Sequence, residues 1–252
     1  MRSTLQNRLL PLLVPSLILA MWLAATSGDD FTAQVLVPPA AVLDSFNELL
    51  ASGELADHLR ASLSRLLLGF GIGAGLGLGF GILLARSALV NAFAGPFFQA
   101  VRQVPSIAFL PMLILLLGVD EGFKLAIVAK AAFFPVALAT HDAVKGISKG
   151  WLEVAAIYRL TPLRVLFRLI LPATVPPVLT GLRLGLTRAW IVLVAAELMA
   201  AENGIGQMME MGRQMFRIDT VMVGVALTGL IGFALDQSVR LAERRLVRWK
   251  AV

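Results

Sequence analysis

Cysteine is absent from this chain of 252 residues, and histidine occurs only twice, at His58 and His141. The first absence excludes disulfide bonds and thiolate metal sites, and two histidines are too few for a His-rich metal centre. No Gly-Lys dipeptide occurs, so there is no phosphate-binding Walker loop, and the HExxH and GxSxG motifs of metalloproteases and hydrolases are missing too. We therefore expect no catalytic residue, metal site or cofactor site in this chain.

Apolar residues are abundant instead. They make up 58% of the chain, whose mean hydropathy is +0.82. Soluble domains contain about 45–50% apolar residues. One crossing of a bilayer takes about 20 residues, so the chain has room for about six crossings. The sequence predicts an all-α membrane protein with six transmembrane helices, embedded in a lipid bilayer. The six apolar stretches are Leu9–Ala25, Leu66–Leu84, Pro105–Leu117, Phe123–Thr140, Val178–Met199 and Thr220–Leu235.

The charged residues between these stretches predict the orientation of the chain. Residues 28–57 contain acidic side chains but no Lys or Arg, whereas residues 145–168 and 240–250 are rich in basic side chains. Because basic loops stay on the cytoplasmic side, both termini and residues 151–177 are expected in the cytoplasm. This topology also accounts for the net charge of +6. No nucleic-acid partner is therefore expected.

The first apolar stretch has two interpretations. Arg2 and Arg8 precede it and the small residues of 25–27 follow it, as in a secretory signal peptide. Its run of 17 uncharged residues is longer than the usual signal-peptide core, which favours a retained transmembrane helix. In both interpretations residue 28 lies outside the cell.

Glycine occupies every second position from Gly69 to Gly81. A lone strand cannot satisfy its backbone hydrogen bonds in lipid, so this stretch is predicted to be a helix. Its glycines then form two stripes on nearly opposite faces, Gly69/73/77/81 and Gly71/75/79. Such stripes indicate close packing by neighbouring helices, or a helix that bends or slides during a conformational cycle.

Charged residues within predicted spans are costly and tend to have a use. Arg183 is near the cytoplasmic end of the fifth stretch, from which its side chain can reach the interface. Lys130, Arg188 and Glu197 lie deeper in their spans. They are candidates either for a solute pathway or for structural pairing with other helices. Two cations facing a cavity would favour an anionic solute.

A basic segment rich in proline separates the fourth and fifth stretches, at residues 151–177. Its pattern predicts a short amphipathic helix opened by Glu153, a break at residues 159–162, and a second helix that begins at Leu163. These pieces are too short to span lipid. The pattern is typical of a cytoplasmic element that lies at the membrane surface and receives force from a partner protein.

This segment resembles the EAA loop of permease subunits in binding-protein-dependent ABC importers. The matching residues are Glu153, Ala155, Leu169, Leu171 and Pro172, while Val154 replaces an alanine and Arg159 stands where the family has glycine. Because glycine permits the family's turn, the sequence predicts that residues 159–162 turn in another way, with Pro162 compensating.

The resemblance extends from about Val37 to Trp249 and is strongest to the branch that serves sulfonates, taurine, nitrate and bicarbonate. The residues that carry it are Val37-Pro38-Pro39, Val104-Pro105, Leu110-Pro111, Phe133-Phe134-Pro135, Gly181-Leu182-Arg183, Arg188-Ala189-Trp190, Ala196-Glu197 and Gly204-Ile205-Gly206.

The resemblance implies the fold of a type I (MetI-like) ABC importer permease in a bacterial inner membrane. It implies an N-terminal helix at residues 1–27, an external loop and lead-in at 28–65, a permease core at 66–240 with its coupling loop at 151–173, and a basic tail at 241–252.

It also implies a homodimer, a cytoplasmic ATPase pair that holds ATP and Mg²⁺, and an external solute-binding protein. The residues expected to contact the ATPase are Glu153, Val154, Ala155, Ala156, Tyr158, Arg159, Leu160, Thr161, Pro162 and Arg164. The alternatives are an ion-coupled carrier and, less favoured because catalytic residues are missing, a membrane enzyme or scaffold.

Overall fold

The computed structural model describes residues 2–26 and 37–247, without the side chains of residues 2–12, and all regular structure in these residues is helical. The helices are α1 (Arg2–Thr26), α2 (Pro39–Ser52), α3 (Glu54–Arg86), α4 (Ala88–Val101), a 3-10 turn (Ser106–Phe109), α5 (Leu110–Leu117), α6 (Glu121–Lys145), α7 (Lys149–Ile157), α8 (Pro162–Val165), a π-helical turn (Leu166–Ile170), α9 (Leu171–Ala200), α10 (Ile205–Gln214) and α11 (Ile218–Leu246).

Within the described residues, four helices are long and apolar enough to cross a membrane: α3, α6, the continuous helix Pro162–Ala200, and α11. A fifth crossing is possible if α4 and the segment Ser106–Leu117, which are bent by 92° at their break, form one span. The apolar part of α1, Leu13–Thr26, is shorter. The all-helical membrane class is confirmed, but the count of six is not.

The third predicted span, Pro105–Leu117, differs most from the structure. Ser106–Leu117 alone would reach about 18 Å, well short of a hydrocarbon core of about 30 Å. Only together with α4, which was not predicted as part of any span, does this segment pass for one crossing, and the pair is bent by 92°. Pro105 cannot continue a helix from the residues before it, so the chain breaks there and turns.

The centre of the fold is the contact of α3 with α6, which run parallel. Along this contact Gly69 faces Val128, Gly73 faces Ala129 and Gly81 faces Ala137. A Cβ at Gly73 would overlap the Ala129 backbone, so only glycine permits this separation of the helices. Helix α9 runs antiparallel against the other side of α6 and uses two further glycines in the same way.

The two predicted glycine stripes of α3 are therefore not equivalent. The stripe Gly69/73/77/81 packs against α6, which confirms close packing on that face. A Cβ at Gly71, Gly75 or Gly79 would meet no atom within 4 Å, so within the described residues this second stripe has no closely packed neighbour.

The fifth predicted span is longer than expected. Instead of a separate second surface helix, α8 and the π-helical turn run without a break into α9, giving one helix of 39 residues from Pro162 to Ala200. Three prolines lie in the first turns of α9, and Thr174 donates a hydrogen bond to the Ile170 carbonyl oxygen, 2.9 Å away. Membrane helices tolerate such prolines where side-chain hydroxyls and π-helical adjustments satisfy the freed carbonyls.

Helices α2, α10 and α11 meet at the end of the bundle that carries Glu197, termed here the distal end. The end that carries residues 146–170 is termed the coupling end. Ser45 on α2 and Thr220 on α11 share a buried hydrogen bond of 3.1 Å. Near the middle of the bundle, Trp190 Nε1 on α9 donates to the Thr228 carbonyl oxygen on α11 at 3.0 Å. These contacts fix the outer helices on the α3–α6–α9 core.

Candidate functional site

A groove at the coupling end is the first candidate site. Its walls come from α7, from α8 with the π-helical turn, and from Arg86 at the end of α3, and it encloses about 520 Å³. Ala155 faces inward and is buried, and it lines the groove together with Leu152 and Leu163. The groove is mostly apolar, as expected for a surface that receives another protein.

The outer face of α7 is unusually apolar for a helix at a bundle end. Ile157 and Tyr158 are 77% and 76% exposed, and Trp151 is also exposed. Glu153 lies on the same short helix and is exposed as well. Such a patch next to a groove is typical of a protein-interaction surface rather than of a core.

The turn after α7 is made by Arg159 itself, whose φ of +48° lies in the left-handed region. The Leu160 amide donates to the Ala155 carbonyl oxygen at 3.0 Å, and the Arg159 amide donates to that of Ala156 at 2.9 Å. These two bonds form the Schellman motif, which normally places glycine at the left-handed position. The prediction that this segment turns in another way is therefore wrong, because Arg159 itself takes the left-handed position that glycine normally occupies in this motif. Pro162 begins α8 instead.

A buried polar cluster at the distal end is the second notable site. Arg65, which is 4% exposed, donates two hydrogen bonds of 2.6 Å to the carboxylate of Glu121 and one of 2.9 Å to Glu197. It also donates to the carbonyl and side-chain oxygens of Asn203. One guanidinium thus joins α3, α6, α9 and the loop before α10.

Glu197 is 1% exposed and is fully paired within this cluster. Besides Arg65, it accepts hydrogen bonds from the Ser62 hydroxyl at 2.8 Å and from the Gly206 amide at 3.1 Å. A Cβ at Gly204 would overlap the Glu197 carboxylate, which explains a glycine at this position, where φ is +118°. Lys124 also donates to Glu121, so two cations balance two carboxylates in the cluster.

A cavity of about 210 Å³ near the middle of the bundle is the third site. It is lined by the side chains of Arg102, Lys130 and Arg188, and no acidic residue lines it. Lys130 Nζ lies 4.0 Å from the centroid of the Phe109 ring and 3.4 Å from the Ser106 hydroxyl. Arg102 donates to Gln99 at 2.5 Å. No ion pair with a described residue is formed by any of the three cations.

The structure thus brings together two of the three residues predicted for the solute pathway. Lys130 and Arg188 line the same cavity, whereas Glu197 lies in the charge-balanced cluster at the distal end. Arg183 has an acidic neighbour, with its Nε 3.6 Å from a carboxylate oxygen of Asp236 on α11. The cavity cations lack such neighbours. A cation facing lipid at mid-depth costs about 3 kcal/mol on insertion scales, so this face is expected to meet water, a solute or another polypeptide.

Several residues of these sites were not predicted from the sequence, among them two arginines. Arg65 lay just before the predicted start of the second span at Leu66, but α3 begins at Glu54, so Arg65 is well inside the helix. Arg102 lies in the break between α4 and the 3-10 turn, close to the predicted Pro105 boundary. In both cases the available signal was an arginine at the edge of an apolar stretch.

The long apolar helices, the exposed groove at one end and the cationic cavity at mid-depth together define a multi-pass membrane transport subunit. The family described as binding-protein-dependent transport system inner membrane component matches residues 77–248, more than half of the chain. The chain belongs to this family.

Relatives that match almost the whole chain include two whose names mention a solute. A Bacillus subtilis protein provisionally named as the aliphatic sulfonates transport permease SsuC is 38% identical over 95% of this chain and 87% of its own length. The taurine transport system permease TauC of Escherichia coli is 31% identical over 93% of this chain and 87% of its own length.

A solved structure of the MetNI methionine ABC transporter, in an inward-facing conformation, supports the fold. Its matching chain superposes with a TM-score of 0.56 at 20% identity, covering 74% of this chain and 91% of that one. The predicted MetI-like permease fold is confirmed. This protein is the permease subunit of an ABC importer and not an enzyme, and its family implies an ATPase and a solute-binding protein as partners. Neither the ion-coupled carrier nor the scaffold is supported.

Proposed function

We propose that this chain forms a homodimeric permease that imports a small organic solute with an anionic sulfonate group, of the alkanesulfonate or taurine class, through the bacterial inner membrane. The observation that carries this proposal is the cavity lined by Arg102, Lys130 and Arg188 without an acidic residue. An excess of fixed positive charge in a low-dielectric site favours a negatively charged solute. The names of the two relatives point to the same class of solute.

The proposal assigns Lys130 and Arg188 to the solute pathway. Glu197, which was predicted with them, is given a structural role, because its carboxylate is already satisfied by Arg65, Ser62 and Gly206. A buried carboxylate whose oxygens already accept these hydrogen bonds is not available to bind a passing solute.

The coupling end would face the cytoplasm and dock on an ATPase, and both termini would lie on that side. The support for this is the exposed apolar face of α7 and the basic residues of the coupling end. ATP and Mg²⁺ would be held by the ATPase alone. Its closure and opening would then move the coupling loop (residues 151–173) and the core (residues 66–240) between outward-open and inward-open states.

The ATPase contact surface would comprise the ten residues predicted from the sequence. Ala155 is buried within the groove wall, so its part would be to hold α7 in place. The exposed members, above all Glu153 and Tyr158, would contact the ATPase directly.

Uptake by the whole transporter tests the proposed solute. The permease, its ATPase and its solute-binding protein are expressed together in cells that lack sulfonate uptake, and entry of radiolabelled ethanesulfonate and taurine is measured. We expect ATP-dependent uptake, lowered by Lys130→Glu and Arg188→Glu while the complex still assembles. A complex that assembles and hydrolyses ATP but admits neither compound would overturn the proposal.

Co-purification tests the docking surface. Glu153→Lys and Tyr158→Asp should each reduce the amount of ATPase recovered with the permease. Lys145→Glu is the matched control, because it reverses an exposed charge at the same end of the bundle but outside the groove. Undiminished ATPase recovery in both α7 variants would place the docking surface elsewhere.

A further inference from the structure

A second cavity lies beside the one that holds Lys130. It encloses about 260 Å³ and is lined by Leu184 and Asp142 among others. The first cavity reaches Ile191 on the same helix, which is two turns from Leu184, or about 10 Å along the axis. The two cavities are therefore stacked along the bundle, with the Lys130 chamber on the distal side and the Asp142 chamber on the coupling side.

Four residues line both chambers: Arg102, Phe134, Pro135 and Arg188. These residues form the boundary that a solute must pass between the chambers, termed here the throat. Its polar groups are two guanidinium groups, and its apolar wall is a phenylalanine and a proline on α6. Both arginines are exposed to the cavities.

The charged residues differ between the two chambers. Those that line the Lys130 chamber are all cations, whereas the Asp142 chamber adds to the two shared arginines one carboxylate, which is 65% exposed and lies 2.9 Å from His141 Nδ1. An anion is therefore attracted to the throat from the distal side and meets an acid only beyond it. Guanidinium groups suit this position, because each presents several N–H donors in a plane that matches a tetrahedral or planar oxyanion.

Resting on the proposed function, we propose that Arg102 and Arg188 form an anion-binding throat that holds the sulfonate group of the solute between the two chambers. Each guanidinium donates hydrogen bonds to the sulfonate oxygens while the alkyl group lies against Phe134 and Pro135. At about 210 Å³ the distal chamber is smaller than the pockets of ~300–1,000 Å³ that hold drug-sized ligands, so the throat admits small anions.

The first test is transport by the complete reconstituted transporter with ethanesulfonate as the probe. Arg102→Gln should lower the maximal uptake rate about tenfold, the loss expected for one charged hydrogen bond, and Arg102→Lys should restore part of it. The concentration for half-maximal uptake should change little, because the solute-binding protein sets it. ATP hydrolysis stimulated by the loaded binding protein should persist, which a merely misfolded variant would not show.

Arg60→Gln is the matched control, because it removes one exposed positive charge from α3 outside both chambers. If the Arg102→Gln and Arg60→Gln transporters take up ethanesulfonate equally well, Arg102 does not bind the solute and the proposed throat is wrong.

The second test does not depend on transport. Phenylglyoxal modifies accessible arginines, and mass spectrometry of the purified complex reports the extent at Arg102 and Arg188 separately. Ethanesulfonate should protect both arginines, while Arg60 should react as before. Protection without ethanesulfonate uptake would refute the proposed solute and leave the throat standing. Absence of protection at both arginines would refute the throat, whatever the transporter carries.

Discussion

The left-handed turn at Arg159 gives a prediction that can be worked out in detail. The left-handed conformation costs a residue with a Cβ about 1–2 kcal/mol and costs glycine nothing. Glycine also gives the unfolded chain more conformational entropy, which reduces this advantage by about 0.4–1 kcal/mol. The Arg159 side chain is exposed and makes no hydrogen bond within the described residues, so its removal costs little. Arg159→Gly should therefore stabilise the end of α7 by about 0.5–1 kcal/mol.

The assay is hydrogen exchange of the purified permease, followed by mass spectrometry on peptides that cover residues 154–162. The Leu160 amide reports directly, since it donates to the Ala155 carbonyl oxygen across the turn. A gain of 0.5–1 kcal/mol corresponds to about two- to fivefold slower exchange if the turn opens locally.

Arg159→Ala is the control, because it removes the same side chain but keeps the cost of the left-handed backbone. It should exchange at about the rate of the original protein. If the alanine and glycine variants exchange alike, the effect comes from the side chain and the reasoning about the backbone fails. The reasoning about the backbone also fails if Arg159→Gly exchanges faster than the original protein.

Three further predictions concern packing and charge. Gly73→Ala should lower the free energy of thermal unfolding by about 1–3 kcal/mol, because the new Cβ overlaps the Ala129 backbone. Gly75→Ala should change it by under about 0.5 kcal/mol, and equal losses in the two variants would contradict the assigned packing face. Arg65→Met leaves a buried carboxylate unpaired and should cost about 3–5 kcal/mol, seen as a large fall in melting temperature; an unchanged melting temperature would deny the cluster its structural role. The hydrogen bond from Arg217 lowers the pKa of Glu48 below 4.5, so the contact of α2 with the start of α11 should be complete above pH 4.5 and be lost as the pH falls below it. Exchange of α2 amides, corrected for intrinsic rates, should rise there in the original protein but not in Glu48→Gln.

The features predicted correctly from the sequence are those encoded within a few turns of helix. The amphipathic pattern around Glu153 lies within α7, and the glycine spacing that marks the tight face of α3 repeats every four residues. Both patterns reflect the helical period directly. The helix class and the surface helix at the coupling end could therefore be read without any tertiary information.

The features that were missed depend on contacts between distant residues. Arg65 donates hydrogen bonds to Glu121, Glu197 and Asn203, and no local sequence pattern predicts that these four residues meet. Likewise, a hydropathy window treats Pro105–Leu117 as a span because it cannot register a bend of 92°.

The turn at Arg159 was predicted wrongly for a related reason. Propensity argues against arginine in a left-handed conformation, but the helices on either side of it require that conformation. Tertiary context therefore overrides local preference there.

Ser87 is the corner between α3 and α4, two helices that lead to different sites. Helix α3 ends there at Arg86, which lines the coupling groove, and carries Arg65 at its distal part. Helix α4 begins there, with the Ser87 hydroxyl accepting a hydrogen bond from the Val90 amide, and ends one residue before Arg102. A displacement of this corner would therefore reach the buried Arg65 cluster at the distal end along α3, and Arg102 at the border of the two cavities along α4.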